Sequence, residues 1–197
     1  CAARNDSASG AQVIDGSLKF NDDDSPYLER DIGADGNRRT WTFSAWTKRS
    51  NIPDESSIFS AEDGSTKSEF IRFNTDGTLQ YGLYNGSSYD WKLISNAVYR
   101  DPSAWYHIVL AFDSTQDTES DRVKIYVNGA QITSFGTGDY PSKNDESYVN
   151  ESATYEQHWI GRSNQGYMDA LLSDVYLIDG LALSPAAFGS FDSTGVW

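Results

Sequence analysis

A chain of 197 residues with 38% hydrophobic, 22% charged and 14% aromatic residues suits one domain with a real core and is too apolar to be disordered. Acidic residues outnumber basic ones 29 to 15, and a net charge of -14 argues against nucleic acid, since no excess of cations exists to neutralise a phosphate backbone. The absence of any run of about 18 apolar residues excludes a helical membrane span, and a lone cysteine, Cys1, excludes an internal disulfide framework or a thiolate metal cluster.

Residues 1–16, CAARNDSASGAQVIDG, are small and polar and read as a flexible arm or linker. Cys1 is either a lipid attachment point or the cut edge of a longer chain. The far end stops on an aromatic residue, Trp197, so residues 190–197 read as the start of a linker and the whole as a piece of a larger polypeptide. The acidic surface suits a salty, extracellular setting.

The domain proper spans 17–189. After a first short strand come four oxygen-bearing residues, Asn21 to Asp24. They are either half of a calcium site through Asp22 and Asp23 or a solvated turn; adjacent aspartates on an extended chain alternate sides, so at most two converge on one ion. DIGADG, from Asp31, opens like an EF-hand loop, but Gly33 stands at position three and Thr42 at position twelve, where a bidentate Glu is needed. That match is rejected.

Period-two alternation then predicts strands. Trp41, Phe43 and Ala45 share one face, with Thr42, Ser44 and Trp46 on the other. Leu79, Tyr81 and Leu83 align, as do Tyr106, Ile108, Leu110 and Phe112, and Val123, Ile125 and Val127. Asp76-Gly77 and Asn128-Gly129 predict type I′ hairpins, because both residue pairs tolerate positive φ. Residues 113–121 and 138–157 read as polar loops, long enough to be functional or mobile. Only LSPAAFG, from Leu183 to Gly189, has helix grammar: Ser184 to cap, Pro185 to start and Gly189 to stop. The fold class is therefore an all-β, two-sheet antiparallel sandwich with one short C-terminal helix.

Catalytic constellations are missing. His107 and His158 lack metal-binding spacing and read as structural. No Gly-x-Ser-x-Gly elbow is present, and the strands carry almost no acid pairs at alternate positions, as a glycosidase on such a fold would need. The expectation is that the protein is not an enzyme. Sugar recognition is the chemistry within reach, because YNGSSYDW, from Tyr84, sets flat aromatic faces beside amides and hydroxyls. Tyr84, Tyr89 and Trp91 form the expected platform, with Asn85, Ser87 and Asp90 as polar partners. The alternative is a hairpin tip whose rings pack back on the sheet.

In order along the chain, SLKFNDDDSPYL, WTFSAWTKR, WYHIVLAFD, VKIYVNG and WIGRSNQGYMDALLSDVYLIDGLALSPAAFG resemble the concanavalin A-like, laminin G-like jelly rolls over roughly Ser17 to Gly189. The form is similar to copies in tail-fibre and other structural proteins of marine tailed phages. The resemblance implies a non-catalytic module that binds glycans or protein partners through loops, sometimes with calcium, and it assigns Trp41, Trp46, Trp105 and His107 to packing. The first expectation is thus a virion structural or adhesion module on the virion surface, single or oligomeric, contacting other virion proteins or a host-surface glycan and requiring no cofactor, with calcium as the one candidate ion. The alternative is a secreted or lipid-anchored carbohydrate-binding, lectin-like protein of a cell; a glucanase stands third.

Overall fold

Alternation of large apolar and small polar side chains puts two layers of strands face to face, and the computed structural model shows both. It describes residues 16–52, 54–64, 66–153 and 157–197; the arm expected over 1–16, with Cys1, lies outside the described residues except for Gly16. The first half of the chain forms β1 (Leu18–Phe20), β2 (Leu28–Asp31), β3 (Thr40–Arg49), β4 (Ser56–Glu62), β5 (Ser68–Phe73), β6 (Thr78–Tyr84) and β7 (Tyr89–Val98). The second adds β8 (Tyr106–Asp113), β9 (Val123–Val127), β10 (Ala130–Gln131), β11 (Phe135–Asp139), β12 (Gln157–Ile160), β13 (Arg162–Ser163), β14 (Gly166–Tyr167) and β15 (Ala170–Asp179).

One sheet runs β1, β15, β3, β8, β9, β10 in space, and the other β11, β7, β6, β5, β4, β12, β2; β13 and β14 form a separate hairpin. All pairings are antiparallel. The side chains that alternation assigned inward meet between the sheets: Trp41 stacks on Phe112 at 5.3 Å and meets the edge of Tyr81 at 6.2 Å. Each ring of this size stabilises the sandwich by about 2–3 kcal/mol through area removed from water. The long loop before β12 is tied in by a buried acid, Glu69, whose carboxylate accepts from the Tyr81 hydroxyl, the Ser147 hydroxyl and the Tyr148 amide. Burial pushes that carboxyl up despite these donors.

Asn128 and Gly129 both take positive φ, 50° and 77°, and close the β9–β10 hairpin as a two-residue turn. At Asp76-Gly77 the expected turn type is corrected: only Gly77 is left-handed (φ 81°), because four residues, 74–77, join β5 to β6 and the Asp76 carboxylate accepts the Thr78 amide instead. The C-terminal helix is a single 3-10 turn, Pro185–Ala187, and one further turn of α-helix at Glu119–Arg122 sits in the 113–121 loop. The segment 190–197, largely exposed, brings Trp197 back onto the domain. The Trp197 indole N–H donates to His107 Nδ1 at 2.9 Å, and its ring fills the space above Gly129, where a Cβ would lie 2.2 Å from it.

Candidate functional site

The β6–β7 hairpin tip is built by Asn85. Its side-chain oxygen accepts the Ser87 and Ser88 amides at 3.0 Å, and its amide nitrogen donates to Asp90 Oδ1 at 2.6 Å. Register along the hairpin pairs Leu83 with Trp91 and then Tyr84 with Tyr89, which leaves Asp90 as an extra residue in a bulge. That one residue decides the site. Tyr84 and Tyr89 stand opposite each other on the outer face, with ring centroids 5.2 Å apart and edge to face, while Trp91 turns into the core against Phe112 at 5.8 Å.

Trp91 is 2% exposed and Tyr89 36%. The three-ring platform expected from the sequence is therefore corrected to two rings. Simple alternation places residues two apart on one side, and the bulge breaks it.

Strand register extends this face across the seven-stranded sheet. One cross-strand row reads Lys92, Gly82, Phe70, Ser60, Trp159, Glu29, and its neighbour reads Tyr84, Ser68, Glu62, Gln157, Asp31. Tyr89 lies over Gly82, where a Cβ would come within 3.3 Å of its ring. The edge of Phe70 is 6.4 Å away, and the Lys92 ammonium reaches over the Tyr89 ring at 4.4 Å. Beside them the Arg72 guanidinium covers Phe70 at 4.4 Å and pairs with Glu55 at 2.8 Å. The open part of the face thus offers two aromatic rings, a cation and the amides and carboxylate of the tip.

Its other half is closed. The β13–β14 hairpin folds over β4: the Ser57 hydroxyl donates to Ser163 Oγ at 2.8 Å, and the Ser60 hydroxyl to the Arg162 carbonyl at 2.9 Å. The Asn164 amide meets both Glu62 oxygens at 3.0 Å. Burial pushes the Glu62 carboxyl up to about 7, opposed by that amide. Arg162 lies over Trp159 (3.9 Å), Tyr27 (4.6 Å) and Tyr167 (5.6 Å), so this aromatic box is filled by the chain's own cation. These residues were not singled out from the sequence; the turn residues in GRSNQGY are a signal that could have marked the hairpin, but nothing local says which face it covers.

Asn21 is extended, but the aspartates after it are not. Asp22–Asp24 forms a 3-10 turn that ends at left-handed Ser25, Asp22 Oδ1 accepts the Asp23 amide at 3.1 Å, and the Asn21 amide group donates to Asp24 at 2.8 Å. Short acceptors bonding to their own backbone favour such turns. Among the described residues no three His, Cys, Asp or Glu side chains are grouped to hold a metal ion, so Asp22 and Asp23 gain no third carboxylate in such a group.

A serine and a histidine do meet: Ser44 Oγ lies 2.9 Å from His107 Nε2. Indole N–H only donates, so His107 Nδ1 must accept from Trp197, and Nε2 carries the proton that Ser44 accepts. The ring offers Ser44 no base. Burial holds His107 and His158 down at about 4, so both are neutral near pH 7. Both are buried in stacks, His107 on Trp46 at 4.8 Å and His158 on Phe59 at 5.6 Å.

A two-sheet antiparallel jelly roll with an aromatic outer face defines a class that includes many lectin-like domains. A sequence profile for the concanavalin A-like lectin/glucanases superfamily matches residues 21–187, and the chain belongs to that superfamily. No curated protein matches. Among solved structures it is similar to the heptameric SAP-like pentraxin of Limulus polyphemus, with a TM-score of 0.52 and 21% identity over 81% of this chain and 70% of that one. It is also similar to domains LG4-5 of the mouse laminin alpha1 chain, with a TM-score of 0.57 and 11% identity over 83% of this chain and 42% of that one. The third is the CBM40 of the Ruminococcus gnavus IT-sialidase, solved with alpha2,3 sialyllactose, with a TM-score of 0.50 and 13% identity over 77% of this chain and 91% of that one. At these identities the likeness is one of fold. The relatives named are animal and bacterial proteins, and the expected link to phage structural proteins draws no support from them.

Proposed function

We propose that this domain is a non-catalytic carbohydrate-binding module that takes a glycan on the outer face of the seven-stranded sheet. Tyr84 and Tyr89 supply apolar ring surface for a pyranose, and Asn85, Asp90 and Lys92 supply hydrogen-bonding groups at its rim. The observation that carries this reading is the bulge at Asp90, which brings both tyrosines to the same outer face, Tyr89 over Gly82, on the half that the β13–β14 hairpin does not cover. The superfamily of lectins and glucanases, and a similar module solved with a sialylated sugar, support the ligand class. Glu62 and Ser60, in the same two rows, face the β13–β14 hairpin instead of a ligand. Protein-observed NMR during titration with 3′-sialyllactose and with lactose tests the site. Saturable shifts centred on Tyr84 to Lys92 are expected with at least one of the two; shifts confined to another face contradict the proposal.

A further inference from the structure

The opposite outer face holds a second aromatic site. From β3, β8 and β15 the outward side chains Trp46, His107 and Tyr176 rise towards the C-terminal segment, which lays Phe188 and Trp197 across them. Between them remains a half-open cavity of about 260 Å³, with Asp174 at its wall. Trp197 lies edge to edge with His107, nearly coplanar at 14° with ring centroids 5.7 Å apart, as its N–H bond to Nδ1 requires; Trp46 stacks on the histidine at 4.8 Å and 23°, the Phe188 ring meets it edge-on with centroids 6.3 Å apart, and Tyr176 lies 5.9 Å from Phe188. Tyr176 is 48% exposed, so one wall is open to solvent.

Charge in the cavity is one-sided: besides Asp174, its polar side chains Ser190 and Tyr176 are neutral hydroxyls. Both His107 nitrogens are committed, to Trp197 and Ser44, and the neutral ring brings no positive charge. Asp174 sits in the β15 bulge between Ser173 and Tyr176, held at φ 49°, a left-handed backbone that few non-glycine residues adopt. One of its oxygens accepts the Ser173 hydroxyl at 3.1 Å, and no Lys or Arg among the described residues pairs with it. A carboxylate with no cationic partner beside several aromatic rings attracts a cation, and ring faces, which accept no ordinary hydrogen bonds, favour one whose charge is spread over methyl groups. The net charge of -14 draws cations towards such a site.

We propose that this cavity binds a small organic cation of the methylated ammonium class, held by the faces of Trp46, Tyr176, Phe188 and Trp197 and by the Asp174 carboxylate. Choline is the probe, with 3,3-dimethylbutan-1-ol, its uncharged isostere, as the control. Choline should shift the Trp197 indole N–H resonance saturably, and the alcohol should bind about tenfold more weakly or not at all. Asp174→Asn tolerates the left-handed backbone and removes only the charge. It should weaken choline about five- to tenfold while the Trp197 resonance of the free protein and the Tm stay as in the parent. No saturable shift, equal binding of the alcohol, or unchanged choline affinity in Asp174→Asn each overturns the proposal.

Discussion

The two outer faces of this sandwich begin alike and finish differently. Each carries aromatic side chains that strand alternation points away from the core. On the six-stranded sheet Trp46 and His107 are buried, because the C-terminal segment returns over them and Trp197 hydrogen-bonds to the histidine. On the seven-stranded sheet the β13–β14 hairpin closes one half, and the Tyr84–Tyr89 half is left open. Pointing outward is therefore not the same as being exposed. What decides exposure is which later segment comes back.

The comparison is broken most severely at the tip. Trp91 and Tyr89 are two residues apart, yet one is core and the other surface. Trp91→Ala should cost about 3–5 kcal/mol in urea denaturation, as for other large core aromatics, and Tyr89→Ala less than about 1 kcal/mol. Equal losses would mean that the bulge does not separate them.

Next in size is the covered half of the seven-stranded face. Glu62 titrates near 4.5 when unfolded and about 7 when folded. In that window the folded state holds a proton that the unfolded state has released, so stability falls as pH rises through it, by about 3 kcal/mol at most. Glu62→Gln keeps an acceptor for the Asn164 amide and removes this residue's share of the slope, leaving that of Glu69, whose carboxyl burial also pushes up. Unfolding free energies at pH 5 and 8 should show the variant gaining on the parent at the higher pH. His107 and His158 act in the opposite sense, losing stability as pH drops below 6.5, and they cancel in that comparison.

A smaller effect is expected on the six-stranded face. Gly129→Ala combines a left-handed backbone, at about 1–2 kcal/mol, with a methyl group driven into Trp197. Tm should drop by several degrees, with Trp197 fluorescence shifting to the red as its ring is displaced. An unchanged spectrum would show that the segment covers this face without pressing on it.

The core was legible in the sequence because it is written with period two. Trp41, Phe43 and Ala45, and Tyr106 through Phe112, needed only strand geometry, and Asn128-Gly129 needed only the tolerance of two residues for positive φ. Half of the candidate site's composition was legible too, in the aromatic and amide character of Tyr84 to Asp90. What escaped depended on a count or on distant pieces of chain. One extra residue, Asp90, turned Trp91 inward; a four-residue loop removed the left-handed demand on Asp76; and a run of aspartates closed into a 3-10 turn instead of alternating. Glu69, Glu62 and Arg162 acquire their surroundings from residues 78, 102 and more than 130 positions away in the chain, which no local pattern announces.

The central claim is that the uncovered tyrosine pair binds sugar. A glycan array probed with the parent chain and with Tyr89→Ala tests it directly, because the substitution removes a ring from the surface and nothing from the core. The account predicts selective binding by the parent that falls at least tenfold in the variant, with Tm lowered by no more than about 4 °C. A parent that binds no glycan, or a variant that binds as well as the parent, contradicts it.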